Sequence, residues 1–590
     1  MKQFFKFMFA SMLGFFLMSI ILLFIFIGML SSLASFSKKE AVLLKPKSVL
    51  HLTLTTEIVD RGGGNPFESF DPMSFQPKPA TGLNELIKNL KKAKNDPNVD
   101  GIYLDLTLLQ AGWASVDEIR QAMIDFKESG KFIVAYGETY TQNAYYLATV
   151  ADKVYLHPEG SIDFRGLNSE LIFFKNMLEK VGVEPQVIRH GKYKSATEPF
   201  FLEQMSPENR EQVLSYVSSI WNSVLKGISD SRGLTVNHIN DVANAYNTRN
   251  AALALESRMI DGIMHRDEVL EELRERLEKD EARDIEFVEL SKYMNVPESK
   301  EARAPRSSDK IAVIYGMGNI LSGSGNERSM GSDRIAAAIR EARLDESVKA
   351  IVFRINSPGG SALASDVILR EVKLASGVKP MIASMGDVAA SGGYYVACGA
   401  DMIVASPSTI TGSIGVFGLI PNMQNFFNNK LGITFDNVKT NEYADMMTVS
   451  RPLRPNERDI IQENIEQVYS TFTTHVAEGR GISVAQVDSI GQGRVWSGAE
   501  AVQIGLVDEL GGLTYAIEKA AEKAGLETYR LVEYPTRKDF FTQLLEDFGQ
   551  VQEVFVKRKL GEAYQYYKQV EQMNQMTGIL TRMPYDIIIY

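Results

Sequence analysis

The sequence repeats itself at a spacing of about 250 residues. The strand-like run VDGIYLDL begins at Val99, and VKAIVFRI begins 249 residues later, at Val348. Gly137 in AYGET and Gly386 in SMGDV are separated by the same distance. An internal duplication of this length predicts two domains with one fold.

Each copy alternates short apolar runs with amphipathic helical stretches. The runs are GIYLDL, KFIVAYG and KVYLHP in the first copy, and AIVFRI, PMIASMG and MIVASP in the second. This alternation predicts α/β domains with a mostly parallel, buried sheet. We place the N-terminal repeat at 45–296, a charged linker at 297–309, and the C-terminal repeat at 310–590, with a helical tail after about residue 537.

The amino terminus carries a long apolar run. Residues 7–37 contain no charged side chain, and about 20 apolar residues suffice to cross a bilayer. The sequence therefore predicts one transmembrane helix at 7–37, preceded by a cytoplasmic tail at 1–6. Lysines flank the run on both sides, so charge alone does not fix the orientation, and SLAS at 32–35 leaves cleavage open as an alternative.

Composition excludes several classes of protein. The formal net charge is −11, and no basic stripe is present, which argues against a nucleic-acid partner. The single cysteine, Cys398, has no partner within the chain for a disulfide and is interpreted as a buried helix residue. The six histidines show no metal-ligand spacing, so neither a metal nor an organic cofactor is predicted.

An unusual stretch follows the strand predicted to end at Gly386. It holds Ser391 directly before two glycines, whereas the first copy has QNA at 142–144. A second glycine pair, at 359–360, is also confined to the second copy. A serine where a strand turns into a helix can be a nucleophile, and nearby backbone amides can form an oxyanion hole. The alternative is a helix N-cap with glycines that only permit close packing.

A serine nucleophile needs a base, and His190 is the one histidine in an unusual context. It lies in VIRHGKYKSATEPF, which corresponds to NVKTNEYADMMTVS in the second copy. Aligning the tyrosines of these segments places Lys194 opposite Ala444. The first copy lacks the serine and the second copy lacks the lysine. A Ser-Lys pair divided between the repeats explains both absences, provided that the lysine is desolvated enough to be neutral. The alternative is that Lys192 and Lys194 are a solvated pair of charges.

Four separated motifs, INSPGG, DVAASGGYYVACGAD, TGSIGV and GKYKSATEPF, resemble those of the signal peptide peptidase A (protease IV) family, of the long tandem-domain bacterial type. The resemblance covers nearly the whole chain after the apolar run. It implies two domains of the fold shared by Clp protease and crotonase. It also implies the following roles: nucleophile, Ser391; base, Lys194 rather than Lys192; hydroxyl that holds the lysine amine, Ser413; oxyanion hole, the amides of Gly392 and of Gly359 or Gly360.

The same resemblance implies peptide hydrolysis through an acyl-enzyme, acting on signal peptides left in the membrane. It further implies a single-pass protein of the bacterial inner membrane, with its body on the periplasmic side, assembled as a homotetramer. Two alternatives remain open: a crotonase-like enzyme that acts on acyl thioesters, and an inactive membrane scaffold.

Overall fold

The computed structural model describes residues 2–36, 43–62, 70–71, 76–77, 80–298, 307–536 and 578–583. The end of the predicted membrane segment at Ser37, most of the predicted linker and most of the predicted helical tail lie outside these ranges. The prediction of helix is wrong for the part of the tail at 578–582, which forms a strand because two other strands supply pairing partners on either side of it.

The first half of the chain contains, in order, α1 (Lys2–Phe36), β1 (Ser48–Leu52), β2 (Ile58–Val59), β3 (Phe70–Asp71), β4 (Gln76–Pro77), β5 (Thr81–Gly82), α2 (Leu83–Asn95), β6 (Val99–Asp105), α3 (Trp113–Lys127), β7 (Phe132–Gly137), α4 (Gln142–Ala148), β8 (Lys153–Leu156), α5 (Lys175–Val181), β9 (Glu184–Arg189), α6 (Glu198–Phe201), α7 (Pro207–Arg232), α8 (Val236–Asn244), α9 (Ala251–Glu256), β10 (Gly262–Ile263), α10 (Arg266–Arg276), β11 (Glu286–Glu289) and α11 (Leu290–Tyr293).

The second half contains β12 (Lys310–Met317), β13 (Asn319–Leu321), β14 (Ser329–Gly331), α12 (Ser332–Leu344), β15 (Val348–Ser357), β16 (Gly359–Ser361), α13 (Ala362–Ser376), β17 (Met381–Ala390), α14 (Gly392–Ala397), β18 (Met402–Ala405), β19 (Ile410–Gly412), β20 (Phe417–Asn422), α15 (Pro455–Arg480), α16 (Val484–Ile490), β21 (Val495–Ser497), α17 (Gly498–Gln503), β22 (Glu509–Leu510), α18 (Leu513–Ala524), β23 (Arg530–Tyr534) and β24 (Gly578–Arg582).

The two repeats build parallel sheets with the same strand order. The first sheet is β10-β8-β7-β6-β1-β11, and the second contains the equivalent path β22-β18-β17-β15-β12-β23. Helices α7 and α15 also correspond, since each has 26 residues and begins with proline, which fits the first turn of a helix. The predicted α/β tandem repeat is therefore confirmed. The likeness to Clp protease and crotonase stays a prediction.

Apolar residues cover both faces of each parallel sheet, as the near-continuous hydrophobic runs predict. In the second repeat, Ile351 and Phe353 on β15 pack with helices α12 and α13, while Val352 packs on the opposite face with α18. The helices turn one stripe inward: Ile335 and Ile339 on α12 are buried at a spacing of four residues.

A third sheet joins the two repeats. Its order is β14-β13-β16-β24-β20-β9, and β9 is the strand that comes from the first repeat. Strands β9 and β20 run antiparallel, with Arg189 opposite Phe417. Because Lys194 lies five residues after Arg189, this pairing carries the lysine segment onto the second repeat.

A buried ionic network also connects the repeats. Arg354 on β15 donates to Asp60 Oδ1 and to Glu118 Oε1, both at 2.5 Å, and its side chain is fully buried. Asp387 on β17 accepts from the backbone N–H and the hydroxyl of Ser115, at 2.9 and 2.7 Å. Removing one partner of such a group leaves a buried charge without compensation, so these contacts hold the repeats in one arrangement.

Helix α1 spans 35 residues. Within the ranges described above, no helix meets the combined length and hydropathy of a membrane span. The predicted transmembrane anchor is therefore not confirmed.

Candidate active site

Ser391 lies between β17 and α14 in a rare backbone conformation. Its φ is 55° and its ψ is −113°, and the residue is fully buried. Such conformations of a non-glycine residue cost about 1–3 kcal/mol and cluster at functional sites. The Ser391 N–H donates to Gly412 O at 2.8 Å, so the neighbouring strand β19 fixes this corner.

The strand before Ser391 is longer than predicted. It does not end at Gly386 but continues to Ala390, because β19 supplies pairing partners for the extension. Val388 lies opposite Ile410, and Ala390 lies opposite Gly412. The sequence did not predict this short strand, and its pairing sets the position of the serine.

The glycines after Ser391 allow backbone segments to approach closely. A Cβ on Gly393 would lie 2.5 Å from Ser357 O, and one on Gly392 would lie 2.7 Å from Ser365 Oγ. Both distances are shorter than a carbon atom tolerates. The structure thus supports close packing as one reason for these glycines, in addition to any catalytic reason.

One member of the second glycine pair faces the same corner. The point where a Cβ on Gly359 would stand is 2.7 Å from Gly392 N and 3.1 Å from Ala390 O. Gly360 faces away, since its Cβ would lie 2.1 Å from Ile320 O in β13. Of the two glycines predicted from the sequence, Gly359 is therefore the one that borders Ser391.

Lys194 from the first repeat reaches Ser391 in the second. Its Nζ lies 2.8 Å from Ser391 Oγ, 3.0 Å from Ser413 Oγ and 3.1 Å from Ser413 O. All three side chains are fully buried. The structure thus brings together three of the residues predicted from the sequence, which are 219 positions apart at the extremes.

Burial lowers the pKa of Lys194 well below its ordinary value of 10.5. Removing an ammonium ion from water disfavours the charged form, so the amine loses its proton more readily than a lysine in solvent. A neutral amine has two N–H donors and one lone pair. These match two acceptor oxygens on Ser413 and one hydroxyl donor, Ser391.

Ser413 has a positive φ of 51°, like Ser391. Its N–H donates to Arg494 O at 2.7 Å. This conformation directs both its hydroxyl and its carbonyl oxygen at the Lys194 amine.

Lys192 and His190 lie elsewhere. Lys192 is exposed, and its Nζ lies over the Tyr193 ring, 5.0 Å from the centroid. The ring of His190 stacks on Tyr469, and its Nδ1 lies 2.6 Å from Glu466 Oε2. The alternative that both lysines are solvated charges therefore fits Lys192 but not the buried Lys194.

Two residues that support the lysine were not found from the sequence. Gln212 on α7 donates to Tyr193 O and Ser195 Oγ, and its Oε1 accepts from Val495 N at 3.0 Å. Gly493 packs against the lysine backbone, since its Cβ would lie 2.6 Å from Lys194 Cα. The two glycines of GQG at 491–493 could have indicated a close approach of two backbone segments. Nothing in the sequence distinguished Gln212 from other polar helix residues.

Cys398 is buried and directly follows α14. Burial raises the pKa of its thiol to about 12, and its Sγ donates to Tyr395 O. The interpretation of Cys398 as a buried, packed residue is confirmed, but the residue caps the carboxyl end of α14 and does not lie within the helix. Among the described residues, no group of three or more His, Cys, Asp or Glu side chains is arranged to hold a metal ion.

Comparisons with known proteins agree with the duplicated architecture. The model of peptidase family S49 matches twice, at 125–280 and at 373–527. Protease 4 of Haemophilus influenzae is 37% identical over 74% of this chain and 72% of its own length. The chloroplastic serine protease SPPA of Arabidopsis thaliana is 35% identical over 81% of this chain and 69% of its own length.

Among solved structures, a ClpP1 mutant from Listeria monocytogenes aligns over 35% of this chain and 94% of its own, with 15% identity and a TM-score of 0.24. The two family matches include both residues of the candidate site. Lys194 falls within the first and Ser391 within the second. The chain belongs to peptidase family S49, and it is a serine peptidase.

Proposed function

We propose that this serine peptidase hydrolyses peptide bonds with a Ser-Lys dyad divided between its repeats. One observation carries the proposal: a buried amine and a buried hydroxyl from different repeats are 2.8 Å apart. Ser391 is the nucleophile and Lys194 is the general base. Ser413 positions the amine and does not itself react.

The reaction begins when neutral Lys194 accepts the Ser391 proton as Oγ attacks the substrate carbonyl carbon. The lowered pKa of the lysine supports this role, because an ammonium ion has no lone pair to accept a proton. The new ammonium then protonates the leaving amine, and the acyl-enzyme forms. Water, deprotonated by the same amine, releases the acyl group and restores the serine.

The oxyanion of each tetrahedral intermediate is held by backbone amides. The amide of Gly392 is adjacent to the nucleophile, and Gly359 borders it across the corner. Donors placed in advance of the reaction stabilise developing charge strongly in a buried site. The proposed oxyanion hole is therefore the amide of Gly392 together with that of Gly359 or Gly360, and the Gly359 N–H also donates to Ser357 Oγ at 3.2 Å.

The proposal extends to the membrane. Residues 7–37 anchor the chain in a bacterial inner membrane, with the body on the periplasmic side, and the substrates are signal peptides that remain in the bilayer after cleavage. The support is the uncharged run of the sequence and the family resemblance. Assembly as a homotetramer is proposed from the resemblance alone.

Membership of the peptidase family favours this function over an acyl-thioester enzyme or an inactive scaffold. The test is hydrolysis of fluorescein-labelled casein by the wild type, Ser391→Ala, Lys194→Ala and Lys192→Ala. We expect activity in the wild type and Lys192→Ala only. Activity retained by folded Lys194→Ala would exclude Lys194 as the base, and activity lost in folded Lys192→Ala would contradict the interpretation of Lys192 as a solvated charge.

A further inference from the structure

A segment of the first repeat is bound by two segments of the second repeat where it delivers Lys194. His190 N–H donates to Val416 O at 3.1 Å, and Tyr193 N–H donates to Gln492 O at 3.0 Å. These two acceptors belong to different segments of the second repeat. The path of the lysine segment is therefore set in part by the other repeat.

The two second-repeat segments also contact each other. Gly493 N–H donates to Ile414 O at 2.7 Å, and the point where a Cβ on Gly415 would stand is 2.8 Å from Gly493 Cα. We call residues 414–416 and 491–493 the collar, because together they border the lysine segment from the second repeat.

Gly493 leaves room for the backbone of the lysine. A Cβ at this position would lie 2.6 Å from each of three Lys194 atoms, namely N, Cα and Cβ. Carbon atoms that are not bonded to each other do not approach so closely, since their optimal separation is about 3.5–4.0 Å. The φ of Gly493 is also 84°, which favours glycine. Both the available space and the backbone conformation therefore require glycine here.

Gly415 leaves room for the side chain of the lysine. A positive φ is not the reason for glycine at this position, because Gly415 does not have one. A Cβ would lie 3.0 Å from Lys194 Cδ and 2.8 Å from Gly493 Cα. The aliphatic stem of Lys194 therefore fills the space that a side chain at position 415 would take.

The first repeat has no glycine where the second repeat has the GQG of the collar. Helix α16 corresponds to α8, since each follows a 26-residue helix that ends at a glycine in the left-handed conformation. The turn after α16 contains Gly491 and Gly493, whereas the end of α8 and the turn after it read ANAYN, at 243–247. The glycines therefore occur in the repeat that receives the lysine segment.

The collar determines where the Lys194 amine lies and what surrounds it. With its backbone beside Gly493 and its stem beside Gly415, the side chain ends 2.8 Å from Ser391 Oγ and is fully buried. Burial lowers the pKa of this amine well below 10.5. A side chain on the collar would move the stem, and a shift of about 1 Å near a reacting group can cost about 100-fold in rate.

We propose that Gly415 and Gly493 are positioning residues for peptide hydrolysis, since their bare backbones hold Lys194 against Ser391 and keep water from its amine. This inference rests on the proposed function, in which that amine is the base. A methyl group on either glycine displaces the lysine stem and opens the surroundings of the amine to water. The displaced amine is then farther from Ser391 and keeps its proton up to a higher pH.

The test is the rate at which a fluorophosphonate labels Ser391 in the full-length protein, measured as a function of pH up to the ordinary pKa of lysine. Gly415→Ala adds a methyl group at a position without a positive φ. Its matched control is Gly377→Ala, because a Cβ on Gly377 would meet its nearest atoms beyond the chain neighbours at 3.6 and 3.7 Å, which is ordinary contact. The control for Gly493→Ala is Gly505→Ala, since Gly505 has a φ of 77° and no heavy atom of another described segment lies within 4 Å of its Cβ position.

We expect both collar variants to move the rising limb of the pH–rate profile to higher pH by about one unit or more, because hydration returns the pKa of Lys194 toward its ordinary value. Below that limb, a shift of one unit alone lowers the rate about tenfold, and displacement of the amine lowers it further. Both controls should follow the wild type at every pH. A folded collar variant that labels like the wild type, or whose rate falls by the same factor at every pH, would overturn the proposal.

Lys194→Met in the same assay separates this proposal from the proposed function. If Lys194→Met labels like the wild type, the lysine is not the base and both proposals fail. If Lys194→Met labels slowly while Gly415→Ala matches the wild type, the dyad is retained and only the role of the collar is wrong.

Hydrogen–deuterium exchange gives a second measurement, which depends neither on turnover nor on labelling. The Tyr193 N–H donates to Gln492 O of the collar, so Gly493→Ala should accelerate exchange of this amide, while Gly505→Ala should leave it unchanged. Equal exchange of the Tyr193 amide in the two variants would show that the collar does not hold the lysine segment, and would overturn the proposal.

Discussion

The two repeats share a strand order but differ at the ends of corresponding strands. In the first repeat, β7 ends at Gly137, and Gln142 begins the next helix with its side chain bonded to the backbone at 165–166. In the second, β17 continues to Ala390 and delivers Ser391 into the interior. Conversely, only the first repeat supplies the buried lysine. The two repeats are therefore similar domains, and the proposed active site lies between them rather than within either.

The largest effect expected concerns the dyad. Ser391→Ala and Lys194→Met should each reduce kcat/KM by about 10⁴-fold or more, because each removes an essential part of one proton transfer. The double variant should lose little more than either single variant, since neither residue functions without the other. Steady-state peptidase assays on the four proteins measure this coupling. Multiplying losses would show that the residues act independently and that the site is not shared.

A smaller effect is expected at Ser413. Ser413→Ala removes the hydroxyl that lies 3.0 Å from the lysine amine but keeps the backbone carbonyl. A hydrogen bond to a group that becomes charged contributes about 1.5–3 kcal/mol, so kcat should fall about 10- to 100-fold. Ser413→Thr, which retains a hydroxyl, is the matched variant and should recover part of the loss. Full activity of Ser413→Ala would show that the Ser413 hydroxyl is not needed to position the Lys194 amine.

The buried lysine should also reduce stability in a pH-dependent way. Its pKa is lowered in the folded protein, so between that pKa and the ordinary value of lysine the unfolded chain binds more protons. The contribution of Lys194 to the free energy of unfolding therefore rises as the pH rises from its lowered pKa to the ordinary pKa of lysine. We expect Lys194→Met to raise the free energy of unfolding near neutral pH by about 1 kcal/mol, because methionine needs no solvation.

That advantage should shrink as the pH approaches the ordinary pKa of lysine. Chemical denaturation of the wild type, Lys194→Met and Lys192→Met at several pH values measures it. Lys192 is exposed, so its variant should follow the wild type throughout. A stability difference for Lys194→Met that does not change with pH would contradict a buried amine with a lowered pKa.

The smallest effect on activity is expected at the first-repeat position that matches Ser391. Gln142→Ser introduces a hydroxyl at this position but no lysine partner. It also removes bonds from the side chain to Arg165 N, Gly166 N and Gly166 O. Activity should stay within about twofold of the wild type, while stability falls by about 1–3 kcal/mol. Serine-directed labelling of residue 142 would show that the first repeat can also form a nucleophilic site.

The parallel sheets could be predicted from the sequence because apolar runs and their spacing are local features. The same pattern also occurs in both repeats, which supports the prediction a second time. Ser391 and Lys194 could be paired for a different reason. Each of the two residues is present in one repeat and absent at the matching position of the other. Comparing the two repeats therefore distinguished candidate catalytic residues from residues that the shared fold requires. This comparison needed only one correct alignment, between the tyrosines of GKYKS and NEYAD.

Contacts that depend on distant pairing were not predictable. Strands β19 and β24 have only three and five residues, and their pairing depends on edges that exist only in the folded protein. Gln212 bridges both repeats at the lysine, yet its place on α7 resembles that of other polar helix residues. That Gly359 rather than Gly360 borders Ser391 likewise depends on the backbone directions at β16.

The central claim is that a lysine of one repeat activates a serine of the other. The most direct test is the rate at which a fluorophosphonate labels Ser391 in full-length wild type, Lys194→Met, Lys194→Arg and Lys192→Met. We predict that labelling falls by about 10³-fold or more in both Lys194 variants, because neither methionine nor guanidinium accepts the serine proton, and that Lys192→Met labels like the wild type. Labelling of folded Lys194→Met at the wild-type rate would contradict the claim.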